Sequence, residues 1–281
     1  MSSTLTNRKG GRPMARILTI FTFFLTLSSA ATATEAPINI SQVIVDEGVD
    51  TQASTVMVQR LSDGQLWVSN AERSKERFSP ASSSKIPHTL IAIETGVATP
   101  DATFKWDGKL RWVEAWNRDH SLKSAFQVSA VWVYQEIARR AGSATMRDWL
   151  QRFNYGDANV GTEATLTTYW LDGTLRISAT EQIAFLRQLA ERDLPLSDTT
   201  YAAADEIMQA DSGDGWTMYS KTGWFSDRGA MDIGWYVGWV RCSSDTYVFA
   251  MNMDMPNSSF RNLRISTAKA ALNDIGAFDC Q

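Results

Sequence analysis

The stretch Phe78-Ser-Pro-Ala-Ser-Ser-Ser-Lys-Ile-Pro-His88 sets three consecutive serines in front of one lysine. Ser79-Pro80 offers a helix N-cap followed by proline at the first helical position, and the apolar residues up to Gly96 keep helical spacing. A helix is therefore expected to begin beside the serines. Residues three apart on a helix share a face, so Ser82 and Lys85 would put a hydroxyl and an amine side by side while Ser83 and Ser84 point elsewhere. A serine hydroxyl is a poor nucleophile until a neighbouring base takes its proton. A lysine is that base only where burial lowers its pKa. Backbone N–H groups at the helix start would hold a developing oxyanion. Taken alone, Ser-x-x-Lys also fits a capping loop with a solvated lysine, so the rest of the chain has to decide.

Upstream of this stretch, Ala53–Gln59 and Gln65–Ser69 are β-rich runs separated by Ser62-Asp63-Gly64, which reads as a hairpin. Downstream, Gln127–Ala141 reads as a helix ending at Gly142, and Ser143 starts another. Ser178-Ala-Thr-Glu181 is a capping box that opens a third. Extended runs return at Trp216–Lys221, Ile233–Cys242 and Tyr247–Asp254, and Leu263–Ile275 reads as a closing helix. Strands at both ends around a helical centre imply an α/β (α+β) architecture: an antiparallel sheet formed from both chain termini, flanked by helices, with an inserted helical lobe. No Pro- or Gly-rich linker divides it, so one domain over residues 34–281 is expected.

Residues 1–33 are read apart from that domain. Arg8, Lys9, Arg12 and Arg16 precede the apolar run Ile17–Leu27, followed by small residues ending Ala31-Thr32-Ala33, the pattern of a secretory signal peptide cleaved after Ala33. An uncleaved anchor is disfavoured because the run falls well short of the ~20 residues that span a bilayer. Losing four cations and no acid takes the formal charge from −4 to −8. Such a chain lacks the basic footprint that nucleic acid requires, and no further segment is apolar enough to span a membrane. The mature protein is expected to be exported, to the bacterial periplasm or the medium. With 281 residues, 44% hydrophobic and 21% charged, it has the composition of a soluble globular protein, unusually rich in tryptophan at eleven. The only histidines are His88 and His120 and the only cysteines Cys242 and Cys280, so no metal site is expected.

Further short motifs stand in order: Ser129-Ala130-Val131, Tyr155-Gly156-Asp157, Trp170-Leu171 and Lys221-Thr222-Gly223. With Ser82-x-x-Lys85 they resemble the class D β-lactamases, or oxacillinases, whose pattern is Ser-x-x-Lys, Ser-x-Val, Tyr-Gly-Asn and Lys-Thr-Gly. The resemblance covers essentially the whole mature chain through "FKWDG" (104–108), "WNRDH" (116–120), "VSAVWVYQEIARR" (128–140), "LRISA" (175–179) and "VGWV" (237–240). Class A enzymes and penicillin-binding proteins carry a Ser-Asp-Asn tripeptide between the outer motifs, and this chain has none.

The resemblance implies a serine β-lactamase or penicillin-binding-protein-like fold and hydrolysis of β-lactam antibiotics through an acyl-enzyme, conferring resistance. It makes Ser82 the nucleophile and Lys85 a carbamylated lysine acting as general base, formed from carbon dioxide with no other cofactor. Val131 and Leu171 would wall the lysine pocket, the Trp170 indole would orient the carbamate, and Ser129 would relay a proton to the lactam nitrogen. Lys221, Thr222 and Gly223 would line the substrate edge, with the backbone N–H groups of Ser82 and Trp224 as oxyanion hole. Arg264 is the better register match for the arginine that binds the substrate carboxylate, with Arg261 the alternative. Two departures stand out. Asp157 replaces the family's Asn. Ser84 replaces an aromatic residue before the lysine, which is expected to admit water to the carbamate pocket.

Two readings compete with hydrolysis, a β-lactam sensor domain or a penicillin-binding transpeptidase that is acylated without efficient turnover. Substrate spectrum and oligomeric state stay open. One expectation comes from chain geometry alone. From Cys242 the strand Tyr247–Asp254 runs out ~26 Å at ~3.3 Å per residue, and a helix over Leu263–Phe278 returns ~24 Å at ~1.5 Å per residue. The match of lengths brings Cys280 near Cys242, either as a disulfide or as two free thiols.

Overall fold

The computed structural model describes residues 1, 4–7, 10, 11, 36–226 and 231–280. Contacts divide the chain into residues 1–33 and 34–281. The few described residues of the first unit form neither helix nor strand. The leader expected over 1–33, with its apolar run and cleavage point, otherwise lies outside the described residues.

The second unit is organised by a seven-stranded sheet fed from both ends of the chain. Its strands are β1 (Ile38–Asn39), β2 (Ser54–Arg60), β3 (Leu66–Val68), β6 (Gln209–Gly213), β7 (Trp216–Phe225), β8 (Asp232–Cys242) and β9 (Thr246–Met255). They run in the order β1-β3-β2-β9-β8-β7-β6. Every pairing is antiparallel except β1 with β3. A separate two-stranded ladder joins β4 (Thr103–Phe104) to β5 (His120–Ser121). The β2–β3 hairpin turns where Asp63 and Gly64 predict it. Gly64 takes a φ of 76° and its N–H bonds the Arg60 carbonyl, while Asp63 pairs with the Arg60 guanidinium.

Strands β8 and β9 are buried along both faces, which explains their nearly unbroken apolar sequence. On one face α1 (Ser41–Asp46) and α7 (Phe260–Asp274) close a core around Ile44, Val56, Phe249 and Leu272. The other face carries the helical lobe: α2 (Lys85–Glu94), α3 (Leu122–Gln127), α4 (Val131–Arg152), α5 (Ala179–Glu191) and α6 (Asp198–Met208). The Ser178/Glu181 capping box forms at the start of α5. Gly142, at φ 79° and ψ 158°, breaks α4 in the middle, where the sequence places the end of one helix and the start of the next.

Several boundaries differ from expectation. Ser79 does not cap a helix. Its hydroxyl donates to the Trp170 carbonyl, Ala81 turns left-handed at φ 48°, and a 3₁₀ turn over Ala81–Ser84 leads into α2. The helix expected from Gln127 starts at Val131, because α3 ends at Gln127 and the chain turns through Ser129 at φ 57°. Strand β6 was not foreseen; its QADSG sequence is polar and fully exposed, so it carries no alternation to read.

Cys242, at the end of β8, is bonded to Cys280, with their Cα atoms 5.4 Å apart. The return path is shorter than the length argument supposes. α7 begins at Phe260 and stops at Asp274, and a turn through Gly276 at φ 73° swings the chain back, seating Phe278 on Trp216. The bridge closes a loop of 38 residues. Cys280→Ser is expected to cost about 3–4 kcal/mol by freeing the unfolded chain. Urea unfolding under oxidising conditions measures it, and a variant as stable as the parent would mean that the bridge contributes nothing.

Candidate active site

Of the three serines only Ser82 reaches the surface; Ser83 and Ser84 are fully buried. Ser83 Oγ donates to the Pro80 carbonyl and accepts from Gln182 Nε2, and Ser84 Oγ donates to the Ala81 carbonyl. The 3₁₀ turn running into α2 stacks Ser82 over Lys85, because residues three apart eclipse in that geometry. Lys85 Nζ lies 2.8 Å from Ser82 Oγ.

Lys85 is fully buried, with its Nζ 5.1 Å from the centre of the Tyr134 ring. Desolvation, followed by the like charge at Lys221, holds its pKa well below the usual lysine range. Burial thus favours the neutral amine, the form that can accept the hydroxyl proton. The Ser84 side chain, where water was expected to enter, is itself buried and tied back to Ala81. Trp170 is fully buried, and its indole N–H has no partner among the described residues.

Two residues of this pocket escaped sequence reading. His88, one turn along α2 from Lys85, packs edge-on against Trp170 with ring centres 4.7 Å apart and shares a 2.6 Å hydrogen bond with the Tyr169 hydroxyl. Burial, then the Lys85 charge, drops its pKa to about 3, so it is a neutral packing partner. Tyr134 forms the floor under Lys85 and bonds Thr89. Spacing of three residues from Lys85 was the available signal for His88.

The cleft in front of Ser82 has a volume of about 520 Å³. Val131 and Leu171 form part of its apolar wall, with Trp112, Trp116 and Trp224 around the mouth. Its other side is the edge of β7. Strand β6 pairs only with Trp216–Tyr219, so the edge from Lys221 to Phe225 is left open toward the cleft. Lys221 Nζ donates to Ser129 Oγ at 2.5 Å and to the Thr222 carbonyl at 3.1 Å. Desolvation, then the Arg264 charge, lowers its pKa to about 7. Ser129 is not a helix cap; its left-handed backbone between α3 and α4 is what points its hydroxyl at Lys221.

Gly223 lines the cleft, and its missing side chain also lets two elements meet. A Cβ there would lie 2.7 Å from the Pro80 carbonyl oxygen and 3.2 Å from the Ser83 nitrogen, so its bareness lets β7 approach the turn that carries Ser82. Arg264 is buried and its Nη1 donates to the Gly223 carbonyl, whereas Arg261 lies outside it at the rim. The Tyr155-Gly156-Asp157 turn is structural. The N–H of Asp157 bonds the Arg176 carbonyl, its carboxylate accepts from the Arg176 N–H, and a Cβ at Gly156 would strike the Arg176 carbonyl. Asp in place of Asn suits this exposed role. Among the described residues no three His, Cys, Asp or Glu side chains gather as a metal site, and no helix is long and apolar enough to cross a membrane.

A serine hydroxyl on a buried amine of depressed pKa, facing a strand edge with cations, is an acyl-transfer arrangement. The family model for the penicillin binding protein transpeptidase domain matches residues 42–276. The chain is 42% identical over 209 residues to β-lactamase OXA-48 of Klebsiella pneumoniae, covering 74% of this chain and 78% of that one. The crystal structure of the class D β-lactamase YbXI from Nostoc superposes with a TM-score of 0.81 at 32% identity, covering 85% of this chain and 99% of that one. That of FUS-1 (OXA-85), a class D β-lactamase from Fusobacterium nucleatum subsp. polymorphum, gives 0.79 at 33% identity, covering 83% and 96%. The fold agrees over nearly the full length of the two solved structures and the sequence over 78% of the OXA-48 chain, and the chain belongs to the class D β-lactamases, within the transpeptidase-domain family.

Proposed function

We propose that the exported mature chain hydrolyses β-lactam antibiotics through an acyl-enzyme on Ser82, with Lys85 carrying a carbamate as general base, and so protects its host. The observation that carries this is the fully buried, depressed Lys85 amine 2.8 Å from the accessible one of the three serines, with the buried Trp170 N–H, packed on His88, unpartnered among the described residues. The pocket fits a carbamate. A neutral amine adds to carbon dioxide with release of one proton, the orphaned indole N–H supplies a donor for the new anion, and Val131 and Leu171 shield it. When present, the carbamate supplies an anionic base that a bare amine lacks.

The chain's own groups account for the rest. Ser82 Oγ, losing its proton toward Lys85, bonds the lactam carbonyl carbon. The Ser82 and Trp224 N–H groups face the developing oxyanion. As the C–N bond breaks, the lactam nitrogen takes a proton delivered through Ser129, which Lys221 contacts. Lys221, Thr222 and Arg264 hold the substrate carboxylate. A water then attacks the ester and frees Ser82.

Turnover is the test. Rapid, repeated hydrolysis of nitrocefin by the purified protein is expected, and a single stoichiometric acylation without turnover would favour a sensor or transpeptidase instead. A pH dependence follows from Lys221. Below about 7 its ammonium is charged and attracts the carboxylate; above that value the charge is lost. KM is expected to rise by roughly tenfold along the alkaline limb, the worth of one charge-assisted hydrogen bond. A KM flat with pH would remove Lys221 from carboxylate binding.

A further inference from the structure

Two cations share one aromatic ring at the rim of the cleft. Arg261 and Arg264 sit one turn apart on α7, with guanidinium carbons 5.2 Å and 5.9 Å from the centre of the Trp224 ring. The ring is fixed, because its N–H donates to the Asp232 carboxylate at 2.7 Å. Arg264 is buried against the Gly223 carbonyl, and burial, then the Arg261 charge, lowers its pKa to about 10. Arg261 is exposed, lines the same cleft as Ser82, and has no side-chain hydrogen bond or ion pair among the described residues. No acid within ion-pair reach of either guanidinium is found among them. A ring carboxylate held by Lys221, Thr222 and Arg264 leaves the outer cation unanswered.

We propose that Arg261, laid on Trp224, is a second anion subsite that favours β-lactams bearing an acidic substituent next to the ring carboxylate. This rests on reading the Ser82 cleft as a β-lactam site. The placement follows from the helix. Arg261 is one turn from Arg264, so an anion reaching it must be attached close to the carboxylate that Arg264 takes, not at the acylamino side chain across the ring. In cephalosporins that neighbouring position is C3. A guanidinium placed over an indole still has N–H donors to offer an anion.

Cefotaxime and ceftriaxone share one C7 side chain and differ at C3, neutral acetoxymethyl against an acidic triazinedione thioether. Their inhibition constants against benzylpenicillin hydrolysis are to be measured in the parent and in Arg261→Gln. The parent is expected to favour the acidic compound by about two- to fivefold at low salt, the range of an exposed ion pair, with the preference shrinking as salt is added. In Arg261→Gln the ratio should fall to about one. A parent without the preference, or a ratio that survives the substitution, overturns the proposal. Benzylpenicillin against carbenicillin, which differ by a carboxylate on the acylamino side, should show no such dependence on Arg261; a matching loss there would overturn the placement. If benzylpenicillin is not turned over, the same ratios are read as protection of Ser82 from a fluorescent penicillin, so failure of hydrolysis and failure of the subsite remain separate results.

Discussion

Ser82→Ala is expected to abolish covalent labelling by a penicillin and to lower hydrolysis by at least about 10⁴-fold, whereas Ser83→Ala and Ser84→Ala keep the label. The three hydroxyls are adjacent in sequence but differ in surroundings. Ser82 alone is accessible and in contact with the depressed amine. Ser83 is a buried structural group between Pro80 and Gln182, and Ser84 is bonded to Ala81. Removing either buried hydroxyl should cost about 1 kcal/mol of stability, the net worth of a hydrogen bond. Gln182 Nε2 keeps the Tyr155 hydroxyl as a partner when Ser83 is truncated. Mass spectrometry of the peptide adduct decides the matter: an acyl group on Ser83 or Ser84, or a label retained by Ser82→Ala, would end the assignment.

The pairing of Ser82 with Lys85 was legible because it depends on helical spacing alone, and a 3₁₀ turn serves it as well as an α-helix does. The sheet was legible for a similar reason: β7, β8 and β9 are long apolar runs interrupted by polar turns. Left-handed positions were not. Ala81 and Ser129 are ordinary residues held at positive φ by their surroundings, so local propensity pointed to a cap and to a continuous helix where the chain turns instead. Gly223 and Ser84 show the same limit. Each could be noticed in the sequence, but that Gly223 makes room for the Pro80 turn, and that the Ser84 hydroxyl is tied to Ala81, depend on atoms far along the chain in one case and on a local hydrogen bond in the other. His88 was weighed only as a metal ligand, since nothing in a single sequence reports that its ring rests on Trp170.

Trp170→Phe is expected to make activity strongly dependent on added bicarbonate at neutral pH. Trp170 is fully buried between Tyr169 and His88, with ring centres 4.9 Å and 4.7 Å away, so the indole is held in one orientation before any anion is present. Phenylalanine keeps an aromatic ring but removes the unpartnered N–H and leaves space in a dry pocket. A hydrogen bond to a charged group is worth about 1.5–3 kcal/mol, so the bicarbonate needed for half-maximal activity should rise roughly 10–100-fold. The smaller ring should also cost about 1–3 kcal/mol of stability, which thermal unfolding reads separately. The effect has a definite sign with pH. Burial depresses the Lys85 pKa and so favours the neutral amine, whereas acidification protonates it, and the ammonium cannot add carbon dioxide. The requirement for bicarbonate should therefore grow as pH falls, and at a higher pH in the variant, where water entering the vacated space favours the charged amine. Carbon-13 NMR with labelled bicarbonate follows the carbamate directly. A variant that needs no more bicarbonate than the parent would remove Trp170 from that role, and a variant inactive at saturating bicarbonate while its carbamate signal is intact would place the indole in a later step.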